Sequence, residues 1–132
     1  MIDREDAERM LSLAHVDFQA VRNMMDAERF ADSVFGFHAQ QAVEKALKAW
    51  LSLRSVAYPK THDLTALITL LETRTGADCG PFLRVKELTD FAVPFRYAFL
   101  TLPEPLNRPE LVLLVGSVLE HVKRLIEDQA TI

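Results

Sequence analysis

The chain lacks most of the features that would place it outside the cytosol. Its 132 residues include one cysteine, Cys79, so no disulfide can form within the chain, which favours a reducing compartment. The first residues lack the basic-then-apolar order of a signal peptide. No apolar run reaches the ~18 residues that a membrane span requires. We therefore predict a cytoplasmic protein.

An excess of positive charge is also missing. The net charge is −4 and the pI is about 5.5, whereas domains that hold duplex DNA through bulk charge are usually basic. Glycine is scarce, with four residues that form no phosphate-binding loop. The four histidines stand apart, without a second ligand at the spacing of helical metal sites. We expect no cofactor and no metal.

Apolar residues are plentiful, and their spacing is helical. They make up 49% of the chain, enough for one core, and no linker or repeat divides residues 1–132. The periodicity predicts an all-α fold, a single up-and-down bundle of about five helices. The predicted helices are Asp3–Met25, Ala27 or Phe30 to Leu53, His62–Arg74 with an N-cap at Thr61, Pro81–Leu100 with a kink at Pro94, and Pro109–Asp128 with a cap at Asn107.

Two surfaces indicate self-association. The first helix is apolar almost all round, which in so short a chain indicates contact with neighbours on two sides or an oligomer surface. The second helix carries a narrow strip of small residues that would let another helix approach closely. The strip consists of Ala39, Ala42, Ala46 and Ala49. We predict a homodimer.

One residue interrupts the apolar side of the second helix. At about 100° per residue, Gln40 projects between Leu47 and Leu51. A buried amide without hydrogen-bond partners costs about 1–3 kcal/mol. The sequence therefore predicts that Gln40 is buried and bonded to another part of the chain.

Several of these residues resemble a known family. Three segments, in this order along the chain, resemble the HEPN domains. They are Phe37–Leu51, which contains Gln40-Gln41, Glu44-Lys45 and Leu47-Lys48-Ala49, then His62-Asp63-Leu64, and then Phe95-Arg96-Tyr97. The resemblance implies a small helical domain that dimerises, binds a nucleotide or a partner, and acts beside a minimal nucleotidyltransferase, often in a toxin–antitoxin-like pair.

The polar side of the second helix and two later segments supply candidate ligand-binding groups. Cations near a helix start or a kink suit a phosphate, and a tyrosine can stack on a base. The candidate residues are His38, Gln41, Lys45, Lys48, His62, Arg96 and Tyr97. The alternative is structural: a solvated helix face with Glu44–Lys48 as an ordinary i,i+4 pair, and His62 tying a loop to the second helix.

A catalytic site is not apparent. Ribonucleases of the family use an Arg-x4–6-His motif in which arginine polarises the phosphate and histidine transfers a proton. Arg9 and His15 have this spacing but point about 120° apart on one helix, and no histidine follows Arg96 at the required distance. We assign no catalytic residue. A metal-independent ribonuclease with a displaced site that uses His62, Arg54 or Arg96, and a plain helical interaction module, remain as alternatives.

Overall fold

The computed structural model describes residues 3–92 and 106–130. These residues form helices and loops without a strand, which confirms the predicted all-α bundle. The elements are α1 (Arg4–Asn23), α2 (Asp32–Leu53), α3 (Leu64–Leu70) with a π turn at Leu71–Thr75, a 3-10 helix at Gly80–Ala92, and α4 (Arg108–Ala130). No helix within the described residues is long and apolar enough to cross a membrane.

Helix α2 is the centre of the bundle and packs against α1, α3, α4 and the 3-10 helix. Its alanine strip is buried to the last atom, so those residues bring helices of the same chain together. The strip is therefore not available to a second chain, which removes one of the two reasons for expecting a dimer.

Short polar links fix the directions of the helices. The Asp3 amide donates to the Ser52 carbonyl over 3.2 Å, which places the start of α1 beside the end of α2. Arg108, at the start of α4, is 3% exposed and donates to the carbonyls of Met24 and Phe30 and to the carboxylate of Asp32. Helices α1 and α2 are thus antiparallel, and α4 starts where α1 ends.

The predicted helix ends need three corrections. Helix α1 ends at Asn23 rather than Met25, and α2 begins only at Asp32. Helix α3 begins at Leu64, because Asp63 and not Thr61 caps it by accepting from the amide of Thr65. The Thr61 hydroxyl accepts instead from the Asp63 amide, so His62 lies just before the helix.

The remaining segments agree in part. The predicted third helix is α-helical only to Leu70. The π turn that follows it, Leu71–Thr75, is capped by Gly76, whose φ of 72° suits a residue without a side chain. The predicted fourth helix is a 3-10 helix over Gly80–Ala92. Pro94, where the sequence predicts a kink, lies outside the described residues. Asn107 caps α4 as predicted, accepting from the Glu110 amide.

Candidate functional site

A buried carboxylate, Glu44, organises the polar side of α2. Its side chain is 5% exposed, and both oxygens are in use. Oε2 accepts from Lys48 Nζ at 3.2 Å, and Oε1 lies 2.7 Å from His62 Nδ1. The carboxylate meets the imidazole at Nδ1, and the His62 side chain as a whole is 67% exposed.

Gln40 is buried and fully bonded, as the sequence predicts. Its Nε2 donates to the His62 carbonyl at 2.9 Å and to Glu44 Oε1 at 3.1 Å, while its Oε1 accepts from Gln41 Nε2 at 2.7 Å. The amide therefore ties the loop before α3 to α2. The structural interpretation of His62 is supported by these bonds, which hold both its ring and its backbone.

A second carboxylate, Asp17 of α1, lies between His38 and Lys45 of α2. Asp17 is 8% exposed, and it lies 3.0 Å from His38 Nδ1 and 2.5 Å from Lys45 Nζ through its two oxygens. These two contacts cross the seam between α1 and α2. They give the seam a polar cluster, Asp17–His38–Lys45, that contains both signs of charge.

A third carboxylate, Asp6, closes the same side of the bundle near the end of α2. It accepts from Ser52 at 2.6 Å, from Tyr58 at 3.1 Å and from Arg9 at 2.6 Å. The bond from Ser52 is the main cause that holds the pKa of Asp6 below its usual value, against the opposing effect of burial. Burial raises the pKa of Tyr58, and its bond to Asp6 adds to that. Lys48 Nζ lies 5.6 Å from the centre of the Tyr58 ring, which links this cluster to Glu44.

These contacts occupy the predicted ligand strip, by which we mean His38, Gln41, Lys45 and Lys48 of α2 together with His62. Lys45, Lys48, His38 and His62 each have a carboxylate of the same chain at hydrogen-bond or ion-pair distance. The charges of Lys45 and Lys48 are therefore balanced by those of Asp17 and Glu44, and Gln41 is bonded to Gln40. The structure brings Lys48 and His62 together around Glu44. Arg96 and Tyr97 lie outside the described residues.

Sequence reasoning missed the two carboxylates that α1 contributes. Asp17 stands three residues after Ala14 and four before Val21, both fully buried, so it occupies a position of the core stripe. An acid on a core stripe predicts a buried partner of opposite charge, as an amide there did for Gln40. Asp6 has no such signal, because its partners Ser52 and Tyr58 are 46 and 52 residues away.

The side chains of these clusters can form hydrogen bonds and ion pairs and can transfer protons. Within residues 3–92 and 106–130, no group of three or more histidine, cysteine or acidic side chains could hold a metal ion. Burial raises the pKa of Cys79 to about 11, so its thiol is not an activated nucleophile. His62 is the one member of the clusters around α2 that combines a buried carboxylate partner with a largely exposed ring.

The fold and the paired polar clusters define a small helical-bundle domain whose charged groups join its helices. Comparison with protein families gives its identity: the HEPN domain model matches residues 6–127, nearly the whole chain. The chain belongs to the HEPN domain family. No curated protein and no solved structure matches it.

Proposed function

We propose that this chain is a non-catalytic HEPN module that acts by binding protein partners through the α1–α2 hairpin, and that its first partner is a second copy of itself. The supporting observation is where apolar surface is left uncovered. Seven large apolar side chains are exposed in the described residues, and five of them belong to the hairpin and its loop. These five are Leu13, Val16, Met25, Phe30 and Val34.

The composition of this surface suits a symmetric dimer. Leu13 lies one turn before Asp17 on α1, and Val34 lies one turn before His38 on α2, so apolar groups flank the Asp17–His38–Lys45 cluster. An interface related by a two-fold axis must be complementary to itself. Exposed apolar side chains on both helices of the hairpin can meet the same side chains of a second copy, which meets that requirement.

The dimer is tested by light scattering on the purified chain. We expect a mass near twice 15.0 kDa. Val16→Glu, at a side chain that is 68% exposed, should give a folded monomer, because a charge replaces an apolar contact in the interface. Leu113→Glu is the matched control, since Leu113 is 76% exposed but lies on α4. A wild-type monomer at tens of micromolar, or equal effects of both variants, would refute the proposal.

The second partner that we propose is a minimal nucleotidyltransferase, in a toxin–antitoxin-like pair. This proposal comes from family membership alone, and its test is direct. A nucleotidyltransferase encoded beside this chain should co-purify with it when the two are expressed together. The Val16→Glu variant then tells whether the enzyme binds the same hairpin surface or another one.

A nucleotide ligand on the predicted strip is the second candidate function, and the largely exposed side chain of His62 favours it. Such a ligand would use His62 and Lys48 with the other predicted residues, including Arg96. Titration with ADP or ATP, followed by calorimetry, tests this: His62→Ala should weaken binding about tenfold or more if a charge-assisted hydrogen bond holds the phosphate. Unchanged binding in that variant would exclude the strip.

We expect no ribonuclease activity, because the chain has no Arg-x4–6-His motif at the family's position. The assay is digestion of mixed RNA by the purified protein. Cleavage that His62→Ala or Arg96→Ala abolishes would instead establish a metal-independent ribonuclease with a displaced site.

A further inference from the structure

The loop between α1 and α2, residues 24–31, carries part of the proposed partner surface. Met25 and Phe30 lie in it, 38% and 36% exposed, and Val34 follows in the first turn of α2. A side chain contributes most to binding when it is already held in its bound orientation, because ordering a loop or a side chain on association costs free energy. What holds this loop therefore bears on how tightly the surface can bind.

Local contacts shape the loop but do not attach it to the rest of the bundle. Met24 ends α1 with a bond from its own amide to the last turn, and Ala31 precedes α2 without a side-chain cap. Within the loop, Asp26 accepts from the Glu28 amide through its carboxylate at 2.9 Å and from the Phe30 amide through its carbonyl at 3.0 Å. All of these partners lie in the loop itself or in the helix next to it.

The attachment comes from Arg108, the first residue of α4. Its Nη1 donates to the Met24 carbonyl at 2.5 Å, and its Nη2 donates to the Phe30 carbonyl at 2.6 Å and to Asp32 Oδ1 at 2.8 Å. Among residues 3–92 and 106–130, it is the only residue outside the loop and its two flanking helices that forms a hydrogen bond with residues 24–31. One side chain of α4 thus joins both ends of the loop and the start of α2.

The surroundings of Arg108 favour an orienting role over a stabilising one. The residue is 3% exposed, and its guanidinium carbon lies 4.8 Å from the centre of the buried Phe35 ring. Its Nε is also buried and has no hydrogen-bond partner among the described residues, which costs stability. An ion pair that takes an arginine out of water, as Asp32 does here, adds little net stability over an apolar side chain of similar volume, but its geometry can select one conformation.

We propose that Arg108 is a positioning residue for the partner surface, which holds the α1–α2 loop so that Met25 and Phe30 meet the second copy in their bound orientation. Arg108 is itself too buried to touch the partner, so it acts through the loop. Phe30 transmits most of the effect, because its carbonyl is one of the arginine's acceptors and aromatic side chains are enriched at interfaces. This role rests on the proposed dimer and names the residue that pre-organises it.

The test is the dissociation constant of the dimer, measured by analytical ultracentrifugation. Arg108→Lys keeps the charge beside Asp32, but a lysine ammonium lacks the planar fork that reaches both carbonyls at once. We expect it to raise the dissociation constant about tenfold, the cost of ordering one or two side chains on association, and to speed amide exchange in residues 24–31. Gly36→Ala is the control, because its Cβ atom would press on the buried Phe91 ring and destabilise the bundle without touching the loop. It should leave the dissociation constant unchanged.

A double-mutant cycle with Phe30→Ser separates positioning from a general loss of stability. If Arg108 acts through Phe30, Arg108→Lys should raise the dissociation constant by a smaller factor in the Phe30→Ser background than in the wild type. A purely structural role would give the same factor in both backgrounds. Asp32→Asn weakens one of the three bonds of the arginine and serves if Arg108→Lys does not fold. It should shift the dissociation constant in the same direction by a smaller factor.

Three results would overturn the role of Arg108 while leaving the dimer in place. The first is an unchanged dissociation constant in both Arg108→Lys and Asp32→Asn. The second is an equal rise in Gly36→Ala, which would make the effect one of stability alone. The third is an effect of Arg108→Lys that persists in full without Phe30. A wild-type chain that is monomeric would instead refute the proposed dimer, and the role of Arg108 with it.

Discussion

Gly36 allows the 3-10 helix to pack directly on α2, and its replacement by alanine should destabilise the protein. A Cβ atom at this position would lie 2.3 Å from Cδ1 of Phe91 and within 2.7 Å of two more ring carbons. Phe91 is 5% exposed, so the ring cannot swing into solvent. Alanine gains about 1 kcal/mol of helix propensity, whereas overpacking of a core costs about 1–3 kcal/mol. Since three ring atoms clash, we expect the upper end of that cost and a net loss of about 1–2 kcal/mol.

Urea denaturation measures this loss as a lower midpoint at an unchanged slope. Gly116→Ala is the control, because its Cβ atom meets only the half-buried ring of Phe18, at 3.0 Å, and that ring can shift outward. The cost of Gly36→Ala should fall by about 1 kcal/mol or more in a Phe91→Leu background. A Gly36→Ala variant as stable as the wild type, or one whose cost does not depend on residue 91, would refute this account of the contact.

Three further predictions concern ionisable groups. The pKa of Asp6 is lower in the folded chain, mainly through Ser52. The stability that Asp6 contributes is thus fully present above the pKa of Asp6 in the unfolded chain, and it is lost as the pH falls through the lower pKa in the folded chain. Asp6→Asn should remove this pH dependence from acid-unfolding curves. His121 is half-buried against Trp50 and Phe82, and this burial lowers its pKa, so its NMR titration midpoint should lie below 6.5. The folded protein should therefore lose stability as the pH falls below that value, because the unfolded chain binds the proton more tightly. Cys79, with a pKa of about 11 and no exposed surface, should resist iodoacetamide at mildly alkaline pH until the protein is unfolded.

Periodicity predicted which segments are helical, but it could not fix where α3 begins. Thr61 and Asp63 are both good caps two residues apart, and each caps something: Asp63 caps the helix, while Thr61 closes a turn around His62. The spacing of apolar residues also could not predict that Gly80–Ala92 forms a 3-10 helix, because α and 3-10 helices repeat their apolar residues at nearly the same spacing.

The sequence predicted the polar groups of the site better than their partners. Gln40 was predicted to be buried because it interrupts an apolar side, and it is. Lys45 and His38 are candidate ligand-binding groups in the sequence, which does not reveal their partner Asp17 because it lies on another helix. Such a pair depends on how α1 crosses α2, which local spacing does not encode. The sequence offers the Lys48–Glu44 pair as an ordinary i,i+4 pair, but it does not predict that the pair is buried. That burial determines how much the loss of one partner costs in stability.

That burial leads to the most discriminating prediction for α2. Glu44→Gln keeps the shape of the side chain but leaves the Lys48 ammonium, whose side chain is 11% exposed, without its carboxylate. Breaking a buried ion pair on one side costs about 3–5 kcal/mol, and the nearby Tyr58 ring offsets part of this cost. We expect a loss of about 2–3 kcal/mol in the free energy of unfolding, measured by urea denaturation.

The double variant Glu44→Gln, Lys48→Met separates a structural pair from a ligand site. If the pair serves the fold, removal of both charges should restore most of the lost stability, because no buried charge remains unpaired. If Lys48 and His62 instead form a phosphate site, Glu44→Gln should free both side chains and raise the affinity for ADP, while the double variant should lose that gain. Recovered stability without any gain in ADP binding would show that Lys48 serves the bundle and not a ligand. Stability of Glu44→Gln equal to that of the wild type would contradict the structural account of the pair.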